Sequence, residues 1–114
     1  MTLTLLDQHC TDGAPALEAA AAAIATLLEQ VPGWSIVDKQ LHRDFAFRDY
    51  HATIAFVNAL AAMTHQQDHH PALSVTYRHC VVDYQTHSAG GALSMNDFIC
   101  AAKADALYAQ RAVA

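Results

Sequence analysis

Between Leu41 and Arg48 the chain alternates without a break. Leu41, Arg43, Phe45 and Phe47 interleave with His42, Asp44, Ala46 and Arg48. A period of two is the mark of a strand with one apolar face. On either side the period changes. Upstream, Leu17, Ala20, Ala21, Ile24, Leu27 and Leu28 recur at the 3.6-residue helical spacing. That helix is expected to start near Pro15 and to stop at Pro32-Gly33. Downstream, Ala52, Phe56, Ala59, Leu60 and Met63 form a second helical stripe, with Asp49 placed to cap it. A strand between two amphipathic helices restricts the chain to a mixed architecture.

The rest follows the same rules. Trp34–Lys39 reads as a strand in a hairpin with the alternating run. Ser74–Tyr77 is a short strand. Cys80–His87 is a longer one, with Cys80, Val82 and Tyr84 on one face and Val81, Asp83, Gln85 and His87 on the other. Ser88–Gly91 is a turn. A third helix starts near Ser94, with Asp97 three residues on as a capping-box pattern, and carries Phe98, Ala101, Ala102, Ala106 and Leu107. The expected order is α-β-β-α-β-β-α: an α+β fold of two layers, a four-stranded antiparallel sheet with three helices on one face. At 114 residues the chain suits one domain spanning 1–114.

Composition narrows the function. Apolar residues make up 54% and charged residues 15%, as in a globular chain. A net charge of −5 and a pI near 5.8 argue against nucleic-acid binding. The longest apolar stretch, Ala19–Leu28, is too short to span a membrane, and no basic n-region of a secretory signal is visible. Cys10, Cys80 and Cys100 make an odd count with no CxxC, which suits a reducing cytoplasm.

The chemistry concentrates in histidines. His69-His70-Pro71 falls at the end of the second helix, because a residue before proline is pushed out of the α region. His87 lies on the open sheet face. Histidine gives or takes a proton near neutrality, so the group fits general acid–base catalysis. With His65 added, HxxxHH also fits a metal site built from His65, His69 and His87. The bland alternative is a set of surface histidines at a helix C-terminus. For Asp97 the capping role outweighs a catalytic one. Cys80 and Cys100 read as core residues.

These residues carry a resemblance. His69-His70-Pro71, Tyr77, His87 ten residues later and Asp97 ten further on resemble the signature of the pterin-4a-carbinolamine dehydratases, a family also known as dimerisation cofactors of a homeodomain transcription factor. Gly33-Trp34, Arg43–Phe47, Phe56-Val57 and Asn96–Ile99 are similar to the family as well, and the resemblance covers most of the chain. It implies a hydro-lyase that dehydrates 4a-hydroxytetrahydrobiopterin to the quinonoid dihydropterin, in tetrahydrobiopterin recycling. His69 and His87 would act as acid and base on opposite sides of the substrate, and His70 would position the pterin. Asp68, Thr86 and His65 would join His70 in binding it. No metal and no organic cofactor is implied. A homodimer or homotetramer is, and so is a protein partner through an exposed helix. One position departs: many members carry glutamate where this chain has His65, and a histidine cannot favour a protonated neighbour as a carboxylate does. Two other classes fit the same residues: a binding or regulatory module of this fold, and a histidine-based metal-binding protein.

Overall fold

The alternating run lies inside the sheet. In the computed structural model, which describes residues 4–17 and 21–110, it forms β2 (Gln40–Ala46). β2 pairs with β1 (Ser35–Val37) on one side and β4 (His79–Tyr84) on the other, and β3 (Ala72–Val75) borders β4. All three pairings are antiparallel, in the order β1-β2-β4-β3. Three helices, α1 (Ala21–Gln30), α2 (Tyr50–Gln67) and α3 (Met95–Ala109), complete the α-β-β-α-β-β-α order, and a 3-10 turn at His87–Ala89 adds to it. The α+β expectation is borne out.

Leu41, Phe45, Cys80, Val82 and Tyr84 are fully buried between sheet and helices. Arg43 shares their face because its charge is answered there. Its Nη1 donates to Asp105 Oδ1 at 2.6 Å, and its guanidinium lies 4.4 Å from the Phe45 ring centroid. Gly33 leaves room for it: a Cβ there would stand 2.7 Å from the guanidinium carbon. Trp34 Nε1 donates to the same Asp105 oxygen at 2.8 Å.

Several boundaries differ from expectation. Residues 14–17 are not helical, so Pro15 does not open α1; Leu17 N instead donates to Leu93 O at 2.8 Å, tying this stretch to the loop before α3. Ala20 and the side chain of Ala21 lie outside the described residues. β1 stops at Val37 because Asp38 and Lys39 both take positive φ (50° and 65°), a two-residue turn of the type that suits strand twist. In α2, Ala59 is exposed, and the buried stripe is Thr53, Phe56, Leu60, Met63 and Thr64. The threonines tolerate burial because their hydroxyls are bonded, Thr53 to Asp49 O and Tyr77 O, Thr64 to Ala61 O. β3 is Ala72–Val75, two residues earlier than expected. Its register on β4 pairs Val75 with Cys80, and Thr76 N donates to His79 O, which puts Tyr77 in the turn.

Asp49 and Ser94 cap α2 and α3 as expected. Among the described residues no helix is long and apolar enough to cross a membrane.

Candidate active site

The histidine doublet is placed by the way α2 ends. Asp68 takes the left-handed conformation at φ 52°. Asp68 N donates to His65 O and His69 N reaches back to Thr64 O, both at 3.2 Å. This is the Schellman pattern, usually built on glycine. The helix therefore ends at Gln67, four positions before Pro71, and the proline only restricts the chain beyond. The turn separates the two imidazoles: His69 faces inward with 11% of its side chain exposed, and His70 is exposed.

His69 is held on two sides. Its ring stacks on Tyr84, with centroids 5.4 Å apart and planes 8° from parallel. Its Nε2 lies 2.6 Å from Oδ1 of the fully buried Asp97. The other Asp97 oxygen, Oδ2, accepts from Ser94 N at 2.9 Å and from Thr86 Oγ1 at 2.8 Å. Thr86 has one hydroxyl proton, spent on Asp97, so in the 2.7 Å contact with Ser94 the Ser94 hydroxyl donates. A carboxylate only accepts. The proton between His69 and Asp97 is thus on Nε2, and Nδ1 is the nitrogen free to exchange a proton. Burial pushes the Tyr84 hydroxyl far above its ordinary range, so the ring under His69 stays neutral.

His87 does not lie on a strand. β4 has partners only as far as Tyr84, opposite Leu41. Beyond it Thr86 O accepts from Ala89 N and Gly91 N, Thr86 N donates to Ala92 O, and His87 begins a 3-10 turn. Gly90 and Gly91 supply the positive φ values (70° and 87°) that this return needs. His87 still reaches the same place. His69, His70, Asp68, Thr86 and His87 all line one cavity of about 720 Å³, a size suited to a small organic molecule. Asp83 and Gln85 extend its lining along the open sheet face. Asp83 is paired there with His42 at 2.7 Å.

His65, one turn earlier on α2, is exposed and is not among the cavity-lining residues. Among the described residues no three His, Cys, Asp or Glu side chains converge so as to hold a metal ion. Thr86 lines the cavity with its hydroxyl committed to Asp97. Asp97 fills the capping role expected of it and also holds His69, a tertiary contact that local sequence does not announce.

Sequence reasoning missed the segment before α1. Residues 10–13 form one wall of the cavity. Asn96 clamps this wall as a peptide group would: its Oδ1 accepts from Thr11 N at 3.0 Å and its Nδ2 donates to Thr11 O at 2.8 Å. An asparagine at a buried helix start was the available signal.

Residues 18–107 match the model of a family described as Pterin 4 alpha carbinolamine dehydratase. Similar proteins bear the name "Putative pterin-4-alpha-carbinolamine dehydratase". One from Chromobacterium violaceum is 46% identical over 106 residues, covering 93% of this chain and 97% of the relative. One from Stenotrophomonas maltophilia is 55% identical over 91 residues, 78% of each chain. The fold is similar to the crystal structure of a transcriptional coactivator/pterin dehydratase from Brucella melitensis, with a TM-score of 0.71 at 24% identity, covering 88% of this chain and 98% of that one.

Proposed function

The chain belongs to the pterin 4 alpha carbinolamine dehydratase family, and from that premise we propose that it is a hydro-lyase acting on 4a-hydroxytetrahydropterins by histidine acid–base catalysis. The observation that carries the mechanism is the convergence of His69, His70 and His87 on one cavity, with His69 fixed through Nε2 by Asp97. In the reaction one imidazolium protonates the departing 4a-hydroxyl, the C4a–O bond breaks, and water leaves. A neutral imidazole accepts the N5 proton, and the N5 lone pair closes the C4a–N5 double bond of the quinonoid dihydropterin. No electron changes hands, so the residues need supply only protons and position. His69 and His87 take the two proton-transfer roles. Exposed His70 and Asp68 contact the pterin, and Thr86 supports Asp97.

The proposal extends to context. The reaction regenerates a reducible pterin after an aromatic hydroxylation, in the cytoplasm, and residues 1–114 act as one domain. The chain assembles with copies of itself. β3 is an edge strand with all four residues exposed, including Leu73 and Val75, and such an edge invites pairing with another strand.

The test is a 4a-carbinolamine dehydration assay from pH 5 to 9. Wild-type protein accelerates the reaction over its spontaneous rate, and His69→Ala and His87→Ala each lower kcat by about 10²–10⁴-fold, the usual contribution of positioned proton transfer. Wild-type protein with no acceleration at any pH would end the enzymatic reading.

A further inference from the structure

The wall that closes the cavity also sets a thiol against a second thiol, and neither takes part in the chemistry above. Cys10 Sγ lies 3.4 Å from Cys100 Sγ, ninety positions away in the chain. Cys10 is half-buried in the cavity lining, and Cys100 is fully buried in α3. Bonds without sulfur hold them there. Cys10 N donates to Gln67 Oε1 at 2.8 Å, Asn96 clamps Thr11, and Lys103 Nζ donates to Leu6 O at 2.8 Å. A disulfide has its sulfurs about 2.05 Å apart, so closure needs an approach of roughly 1.4 Å. Cys10 Sγ already faces α3, donating to Asn96 O at 3.6 Å, so the approach is a local one.

We propose that Cys10 and Cys100 are an oxidant-sensitive thiol pair, Cys10 the attacking sulfur and Cys100 the resolving one, which closes to an intrachain disulfide across the cavity wall.

The oxidant is a peroxide. The Cys10 thiolate attacks one peroxide oxygen, the O–O bond breaks, and the leaving alkoxide or hydroxide takes a proton. Cys10 becomes a sulfenic acid. Cys100 then attacks Cys10 Sγ; the S–O bond breaks, and the departing hydroxide takes the Cys100 proton as water. Two thiols are oxidised by two electrons, and one peroxide is reduced. A dithiol reductant reverses the bond by exchange. The surroundings favour this order. A hydrogen bond from Cys100 pulls the Cys10 thiol down, against burial, and His69 and Lys103 add to the effect. The same hydrogen bond and burial hold Cys100 far up. Once Cys10 is a sulfenic acid its negative charge is gone, and one of the influences suppressing Cys100 ionisation goes with it. Cys80, fully buried and pushed up to about 11 by burial, is a built-in control.

The test uses the full chain and graded hydrogen peroxide, read by thiol titration under denaturing conditions, intact mass and peptide mapping. The three thiols fall to one, the chain loses about 2 Da as a disulfide forms, and the linked peptides contain Cys10 and Cys100. Reductant restores all three. In Cys100→Ser, whose hydroxyl keeps a hydrogen-bond donor beside Cys10, the Cys10 sulfenic acid persists and is trapped by dimedone; in Cys100→Ala, used in case buried serine weakens the fold, it forms more slowly without that donor but is trapped as well. Disulfides only between copies, oxidation of Cys80 as fast as Cys10, or no trappable sulfenic acid in either Cys100 variant would overturn the proposal. The readout is sulfur and not turnover, so its result is independent of the dehydratase reading.

Discussion

Asp97 divides its work between two oxygens. Oδ2 closes the start of α3, and Oδ1 holds His69. Asp97→Asn can serve only one side, because the amide has one accepting oxygen and its NH2 group meets a donor at the other. The variant is expected to lower the dehydration kcat by about 10²-fold or more, through loss of the correct His69 tautomer, while KM changes much less. Its pH profile should lose the limb that His69 supplies. Stability should fall by about 1 kcal/mol, since the charge-assisted hydrogen bonds to Thr86, Ser94 and His69 become neutral ones. Steady-state kinetics across pH and urea unfolding measure the two effects separately; an unchanged pH profile would reduce Asp97 to a cap. Half of this residue's role was legible in advance. The capping box is local, Ser94 and Asp97 standing three apart. The His69 contact spans 28 positions and exists only once β4 and the 3-10 turn have brought the two ends together.

Elements were legible wherever their cause is local. The alternation of β2, the Asp49 cap and the Ser94–Asp97 box all carry their instruction within a few residues, and each stands where expected. Boundaries set by pairing were not. β4 ends when its neighbours run out, which moved His87 from a sheet face to a turn. The end of α2 belongs to Asp68 and not to Pro71, and a left-handed aspartate carries no sequence mark as clear as glycine. That conformation costs an L-residue about 1 kcal/mol, which glycine avoids at some cost in chain entropy. Asp68→Gly is therefore expected to raise unfolding stability by about 0.5–1 kcal/mol. Asp68 also lines the cavity, so the same substitution should lower kcat/KM, by about tenfold for a lost hydrogen bond to substrate. Urea unfolding and the dehydration assay should move in opposite directions. A stability loss would show that the carboxylate, not the backbone, secures the turn.

At the scale of the molecule, the core places three groups where burial opposes their ionisation. Cys80, Tyr84 and Cys100 are all fully buried, and burial raises each of them. For Cys100 the hydrogen bond to Cys10 adds to burial and leads it. A group raised on folding contributes stability that is fully present below its unfolded value and is lost as pH climbs toward its folded one. Cys80 moves from 9.0 to about 11, so its contribution is intact at neutrality, declines above pH 9 and is gone past about 11. Two units correspond to about 2–3 kcal/mol. Tyr84 and Cys100 act in the same direction, because the unfolded chain ionises them while the folded core does not. The Cys10 thiol, held down, acts the other way below pH 9, so unfolding free energy should not fall between pH 7 and 9 and should drop steeply by pH 10.5, measured by urea titration at fixed ionic strength. Cys80→Ala removes one of the three and should make that alkaline limb shallower, with a modest loss at neutrality from the vacated volume. Tyr84 ties this behaviour to the site. Its neutral ring carries His69, so alkaline opening of the core and loss of the imidazole's fixed orientation should occur together.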